Sequence, residues 1–100
     1  DTKPATLSSK FLDSILRKEL GFRGVIITDD MEMVSVGQAI EESAVEAIRA
    51  GADVIISTYT PSLQIKIFNR LKMAIAKGEI SEERLNESVI RILRLKEALW

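Results

Sequence analysis

Two kinds of hydrophobic pattern alternate along the chain: short continuous apolar runs, and longer segments whose apolar residues recur every three or four positions. The runs Gly24–Thr28 and Asp53–Ser57 are rich in β-branched residues and read as buried strands of a parallel sheet. Four helical patterns surround them. The first starts at Ser8 or Ser9, either of which can cap it, and sets Phe11, Leu12, Ile15, Leu16 and Leu20 on one face before Gly21. The second covers roughly Ala39–Ala50, with Ile40, Ala44, Ala47 and Ile48 inward and Gly51 as its stop. The third opens with Thr60-Pro61, carries Ile65, Phe68, Leu71, Met73 and Ile75 as its apolar stripe, and ends at Gly78. In the fourth, Ser81 is the cap, and Glu82 and Glu83 suit the helix dipole. Leu85, Val89, Ile92, Leu93 and Leu99 form its expected buried stripe.

The resulting order, α-β-α-β-α-α, predicts an α/β fold with a right-handed βαβ unit and a parallel strand pair. Parallel sheets are covered on both faces, and two strands alone cannot close such a core. Both strands would also be open edges, prone to pairing with another chain. The expectation is therefore a part of a larger barrel or open sheet, or a piece that self-associates through its strand edges.

Composition narrows the chemistry. Among 100 residues there is no Cys and no His. That removes a disulfide framework, a thiolate metal site, a Ser-His-Asp triad and a histidine general base from this chain. The remaining inventory is Asp, Glu, Lys, Arg, Ser, Thr and Tyr59. A net charge of −1 gives no electrostatic case for nucleic acid or an anionic membrane, and the apolar runs are far too short to span a bilayer. No secretory signal is visible at Asp1, yet no initiator Met is present either, so the true start is expected to be missing and the compartment is left open.

The main candidate for chemistry is Asp29, placed just past the carboxyl end of the first strand, where α/β barrels and sheets keep their active sites. A buried carboxylate there is costly without a purpose. From the residues alone it is a nucleophile, a metal ligand or a cap. Asp29, Asp30 and Glu32 together offer oxygen ligands suited to magnesium. No Gly-rich phosphate cradle accompanies them, so no metal is assigned, and no cofactor motif is present. Asp30 is given no chemistry. Met31 and Met33 read as packing or pocket-lining side chains, Tyr59 as a rim or pocket residue, and Trp100 as packing at a helix end. Lys10, Arg17, Lys18, Arg91, Arg94 and Lys96 read as solvated helix faces.

Longer stretches carry a family resemblance. Pro4-Ala5-Thr6-Leu7-Ser8, Leu16-Arg17-Lys18-Glu19-Leu20-Gly21-Phe22 and Gly24-Val25-Ile26-Ile27-Thr28-Asp29-Asp30-Met31 are followed by Ala44-Val45-Glu46-Ala47-Ile48-Arg49-Ala50-Gly51-Ala52-Asp53 and Ile80-Ser81-Glu82-Glu83-Arg84-Leu85-Asn86-Glu87-Ser88-Val89. In this order and spacing they resemble glycoside hydrolase family 3, and most of all its bacterial β-N-acetylhexosaminidase branch. The resemblance implies that residues 1–100 are the C-terminal part of a (β/α)8 TIM-type barrel, with the last two of its parallel strands and no separate second domain. It implies a carbohydrate substrate, and Asp29 as the nucleophile that forms a covalent glycosyl-enzyme with overall retention. In that branch the acid/base is a His on an earlier loop. This chain has no His, so it carries half of a catalytic pair and is expected to be inactive by itself. The β-glucosidase and β-xylosidase branch, the alternative, commonly shows Ser-Asp-Trp where this chain has Thr28-Asp29-Asp30.

Overall fold

In the computed structural model the described residues are 16–32 and 39–99. They form β1 (Ile27–Asp30), α1 (Ile40–Ala50), β2 (Val54–Ile56), α2 (Pro61–Ala76) and α3 (Glu82–Leu99). β1 and β2 pair in parallel around the crossover helix α1, which is the expected βαβ unit. The bulk of the first expected helix, with Ser8, Ser9, Lys10, Phe11, Leu12 and Ile15, lies outside the described residues, as do Met33 and Trp100. Residues 16–19 close a wide helical turn, sealed by the Phe22 N–H on the Leu16 carbonyl at 2.8 Å.

α1 follows its sequence pattern closely. Ile40, Ala44, Ala47 and Ala50 bury one face, and with Ile26, Met31, Ala52 and Ile67 they make the main core. The small side chains let α1 lie close to the sheet, and Leu16, Ile55, Leu63 and Leu71 pack around the edge of this cluster. Gly51 ends the helix at φ 131°, a conformation that favours glycine, and its N–H caps the Ala47 and Ile48 carbonyls. A smaller cluster of Val45, Ala74 and Ile80 joins α1 to α2 and to the turn after it.

The other elements depart from expectation. The strands pair over Ile27–Asp30 and Val54–Ile56 rather than over Gly24–Thr28 and Asp53–Ser57. The apolar run continues upstream of β1, where the Ile26 carbonyl still accepts the Asp53 and Val54 N–H groups, but the Gly24 carbonyl accepts from Arg17 and the Ile26 N–H donates to the Asp53 carboxylate. On α2 the buried residues are Ile67 and Ala74, whereas Ile65, Phe68, Met73 and Ile75 are exposed. The face turned to α1 is set by Leu63, Ile67, Leu71 and Ala74, spaced four, four and three apart. On α3 only Ser88 is buried, and Val89, Leu93 and Leu99 are exposed. α3 meets the rest of the chain through a polar seam instead, described below. Leu20, expected inward, is also exposed. Among the described residues no helix is long and apolar enough to cross a membrane.

Candidate functional site

Two groups of polar side chains sit at opposite ends of the strand pair. The first is at the carboxyl ends. Along β1, burial alternates: Ile26 and Thr28 are 8% and 3% exposed and face α1, while Ile27 is 53% exposed and Asp29 shares its open side. Asp29 therefore stands within β1, not just past it, and it is exposed. Its neighbourhood is irregular. Ile27 pairs with Val54 and Asp30 with Ile56, so β1 holds one more residue than β2 over this interval. Such a bulge re-aims side chains, and here it falls beside Asp29. Thr28 repairs the interrupted ladder, its Oγ1 accepting the Ile56 N–H at 3.1 Å.

The two acidic residues that follow are fully engaged. Asp30 accepts the Glu32 N–H through Oδ1 at 3.0 Å and the Thr58 hydroxyl through Oδ2. Glu32 Oε2 accepts the Ser57 hydroxyl at 2.9 Å, the Tyr59 N–H at 2.8 Å and the Thr60 N–H at 3.1 Å. The last two donors lead into α2, whose N-cap Thr60 makes no side-chain capping bond of its own. The Thr60 side chain, then the Tyr59 and Thr60 N–H groups and the Ser57 hydroxyl, hold the Glu32 carboxyl down at about 2 against the opposing effect of burial. Asp29 makes no hydrogen bond or ion pair among the described residues. Nor do any three His, Cys, Asp or Glu side chains among them converge in a way that would hold a metal ion. Tyr59 lies on the rim, 72% exposed, and Met31 is a core residue.

The second group surrounds Asp53, at the amino end of β2. Among the described residues this is the buried carboxylate, in contrast to the expectation for Asp29. Its oxygens accept from Arg17 at 2.6 Å, the Ile26 N–H at 3.0 Å, Ser88 at 2.6 Å and Arg91 at 2.9 Å. Burial pushes its pKa up, but the bonds from Ser88, Ile26, Arg91 and Arg17 outweigh that effect and hold it below the ordinary value. Arg84 runs alongside, bonding Ser88 and the carbonyls of Ile48 and Ala52 that end α1. Arg17 and Arg91 are thus not solvated, as their charge alone implied. The missed signal was the spacing of Arg84, Ser88 and Arg91, which places three polar residues on one face of α3.

The described residues thus form a parallel βαβ unit of an α/β fold, with Asp29 unpaired among them on the open side of a bulged strand. The chain belongs to family 3 of the glycosyl hydrolases: the model of the family's N-terminal domain matches residues 1–95. A protein of Cellulomonas fimi named as a β-N-acetylglucosaminidase/β-glucosidase is 33% identical over 99% of this chain and 17% of its own length. A β-hexosaminidase of Psychromonas ingrahamii is 41% identical over 73% of the chain and 22% of its own length. Among solved structures, a family 3 β-N-acetylglucosaminidase from Paenibacillus superposes with a TM-score of 0.92 at 42% identity, over 97% of this chain and 19% of that one. The chain thus spans about a fifth of the length of these relatives.

Proposed function

We propose that this chain is the nucleophile-bearing end of a retaining glycosidase that removes terminal β-linked N-acetylhexosamine residues. It would form the last two strands of a (β/α)8 barrel, the final part of the family's N-terminal domain. The observation that carries this reading is the state of Asp29. Of the three acidic residues at the end of β1 it alone has no partner among the described residues, and it lies on the open side of the strand. In a closed barrel that side faces the interior, and the carboxyl ends of the strands carry the chemistry.

In this mechanism a carboxylate oxygen of Asp29 attacks the anomeric carbon as the bond to the leaving oxygen breaks, giving a glycosyl-enzyme ester. The departing oxygen takes a proton from an acid, which then serves as the base that activates water for the second displacement. With no His in the chain, that group would come from another part of the protein, so these residues alone would not turn over glycosides. The exposed Ile27, Phe68 and Leu93 fit surfaces that the rest of a barrel would cover. Self-association of the isolated piece through its strand edges would cover them differently.

N-acetylglucosaminides are favoured as substrates by the name of the Paenibacillus relative, and the Psychromonas relative's name, a β-hexosaminidase, fits the same class of sugar. The Cellulomonas relative's name adds β-glucosides as a second class. The test uses the protein that carries this chain, with nitrophenyl β-N-acetylglucosaminide and β-glucoside. Asp29→Asn should lower kcat by roughly a thousandfold or more, and a 2-fluoro sugar should add its glycosyl mass to a peptide containing Asp29. Wild-type turnover by Asp29→Asn would overturn the assignment.

A further inference from the structure

We infer that Glu32 is a positioning residue for Asp29, fastening the turn after β1 to the amino end of α2 so that the nucleophile is held while its carboxylate stays uncommitted. This inference rests on Asp29 being the nucleophile. β1 is four residues long and bulged between Ile27 and Asp30, so strand pairing alone is a weak guide to where Asp29 points. Further anchoring comes from downstream. Glu32, three residues on, gathers the Ser57 hydroxyl and the Tyr59 and Thr60 N–H groups on one oxygen. Asp30 adds the Thr58 hydroxyl and closes a tight turn on the Glu32 N–H. The chain on the carboxyl side of Asp29 is thereby tied to four successive residues, Ser57 to Thr60, at the end of β2.

The chemistry of the clamp suits the task. N–H groups at the start of α2 carry the positive end of the helix dipole, so an ionised carboxylate is the fitting acceptor. Ser57, Tyr59 and Thr60 keep Glu32 ionised across the neutral and mildly acidic range. The clamp spends Asp30 and Glu32 on geometry and leaves Asp29 for the substrate. Nucleophilic attack needs reacting atoms about 3–3.5 Å apart and aligned, and a misplacement of about 1 Å costs roughly a hundredfold in rate. Loss of the clamp should therefore appear in kcat. If Glu32 were only a cap for α2, its loss would appear in stability alone.

The experiment compares Glu32→Ala and Glu32→Gln in the protein that carries this chain. Measured are kcat and KM on nitrophenyl β-N-acetylglucosaminide, the urea midpoint, and amide hydrogen exchange of the peptide covering residues 57–62. Glu32→Ala should lower kcat by about 10- to 100-fold with KM within about twofold, and the Tyr59 and Thr60 amides should exchange at least about tenfold faster. Glu32→Gln keeps an acceptor oxygen and should recover most of kcat. An unchanged kcat in Glu32→Ala would overturn the inference. So would a loss of kcat that merely follows the loss of folded protein, or a Gln variant as slow as the Ala variant. Full activity of Asp29→Asn would remove the nucleophile reading and this positioning role with it. Amide exchange reports on the clamp without reference to activity, so slow exchange in Glu32→Ala would refute the clamp separately.

Discussion

Replacing Asp53 by Asn is the sharpest test of how the strand pair is held at its amino end. The substitution keeps the size of the side chain but removes its charge, and it places an NH2 group where an oxygen now accepts. The Asp53 side chain is 0% exposed, with Arg17 9%, Arg84 16% and Arg91 21% exposed around it. An amide nitrogen on the Oδ1 side would face the Ser88 hydroxyl and the Arg91 guanidinium, so a donor would meet the Arg91 donor. Turned the other way, it would face Arg17 and the Ile26 N–H. Either orientation leaves at least one buried or half-buried guanidinium without its counter-charge. Breaking a buried pair by removing one partner costs about 3–5 kcal/mol. Since ~1.4 kcal/mol is tenfold in an equilibrium constant, this loss is roughly two to three and a half decades, a large part of a typical domain's stability. Urea unfolding of the protein that carries this chain, followed by far-UV circular dichroism, measures it through the midpoint and slope. A cycle with Arg91→Gln isolates the pair, and a coupling of about 1–3 kcal/mol is expected for groups in direct contact. A loss below ~1 kcal/mol for Asp53→Asn, or strict additivity with Arg91→Gln, would refute the view that Asp53 organises this end of the fold.

Two further outcomes follow from the same structure. Glu32, at about 2, and Asp53, also held below its ordinary value, both titrate lower folded than unfolded. Their stabilisation is therefore complete above the unfolded values near 4 and is lost as the pH falls toward the folded ones. The urea midpoint should drop between about pH 4.5 and 2, less steeply in Glu32→Gln, and equal slopes in the two proteins would contradict this. Ile27 shares the open side of β1 with Asp29 and would be interior in a closed barrel, so Ile27→Ala in the whole protein should cost about 2–5 kcal/mol. A change within ~0.5 kcal/mol, as for an ordinary surface position, would argue against barrel closure over that side.

How much of this was legible from the sequence depended on what each element packs against. α1 was readable because its apolar period and its buried face coincide: Ile40, Ala44 and Ala47 fall on one side and all enter the main core. For α2 and α3, apolar spacing defines a stripe but not the neighbour that meets it. α2 turned Leu63, Ile67 and Ala74 to α1 and left Ile65 and Phe68 outside. α3 turned Arg84, Ser88 and Arg91 inward, where Ser88 and Arg91 supply two of the four bonds that Asp53 accepts, the others coming from Arg17 and the Ile26 N–H. Strand limits were misjudged for a related reason. Apolarity marks burial, whereas pairing needs free backbone groups, and the Gly24 carbonyl and the Ile26 N–H are taken by the side chains of Arg17 and Asp53, leaving the Ile26 carbonyl to meet the Val54 N–H.

The same accounting separates the acidic residues, which sequence alone could not rank. Asp29, Asp30, Glu32 and Asp53 share a charge and lie close to the strand ends, and what distinguishes them is the supply of donors. Asp53 is surrounded by guanidinium groups and a hydroxyl, so it is structural at any pH where it is ionised. Asp30 and Glu32 take up the hydroxyl and N–H groups that the end of β2 and the start of α2 present. Asp29 lies on the open side of the strand and makes no bond with those donors among the described residues, which leaves its carboxylate available in the mechanism proposed above. A residue left unsatisfied on an open face costs little, because water serves it. Placed in the buried position of Thr28, one residue earlier, the same carboxylate would require partners. On the function proposed above, its side of the strand, more than its neighbours in sequence, is what suits Asp29 rather than Asp30 or Glu32 to the nucleophile's role.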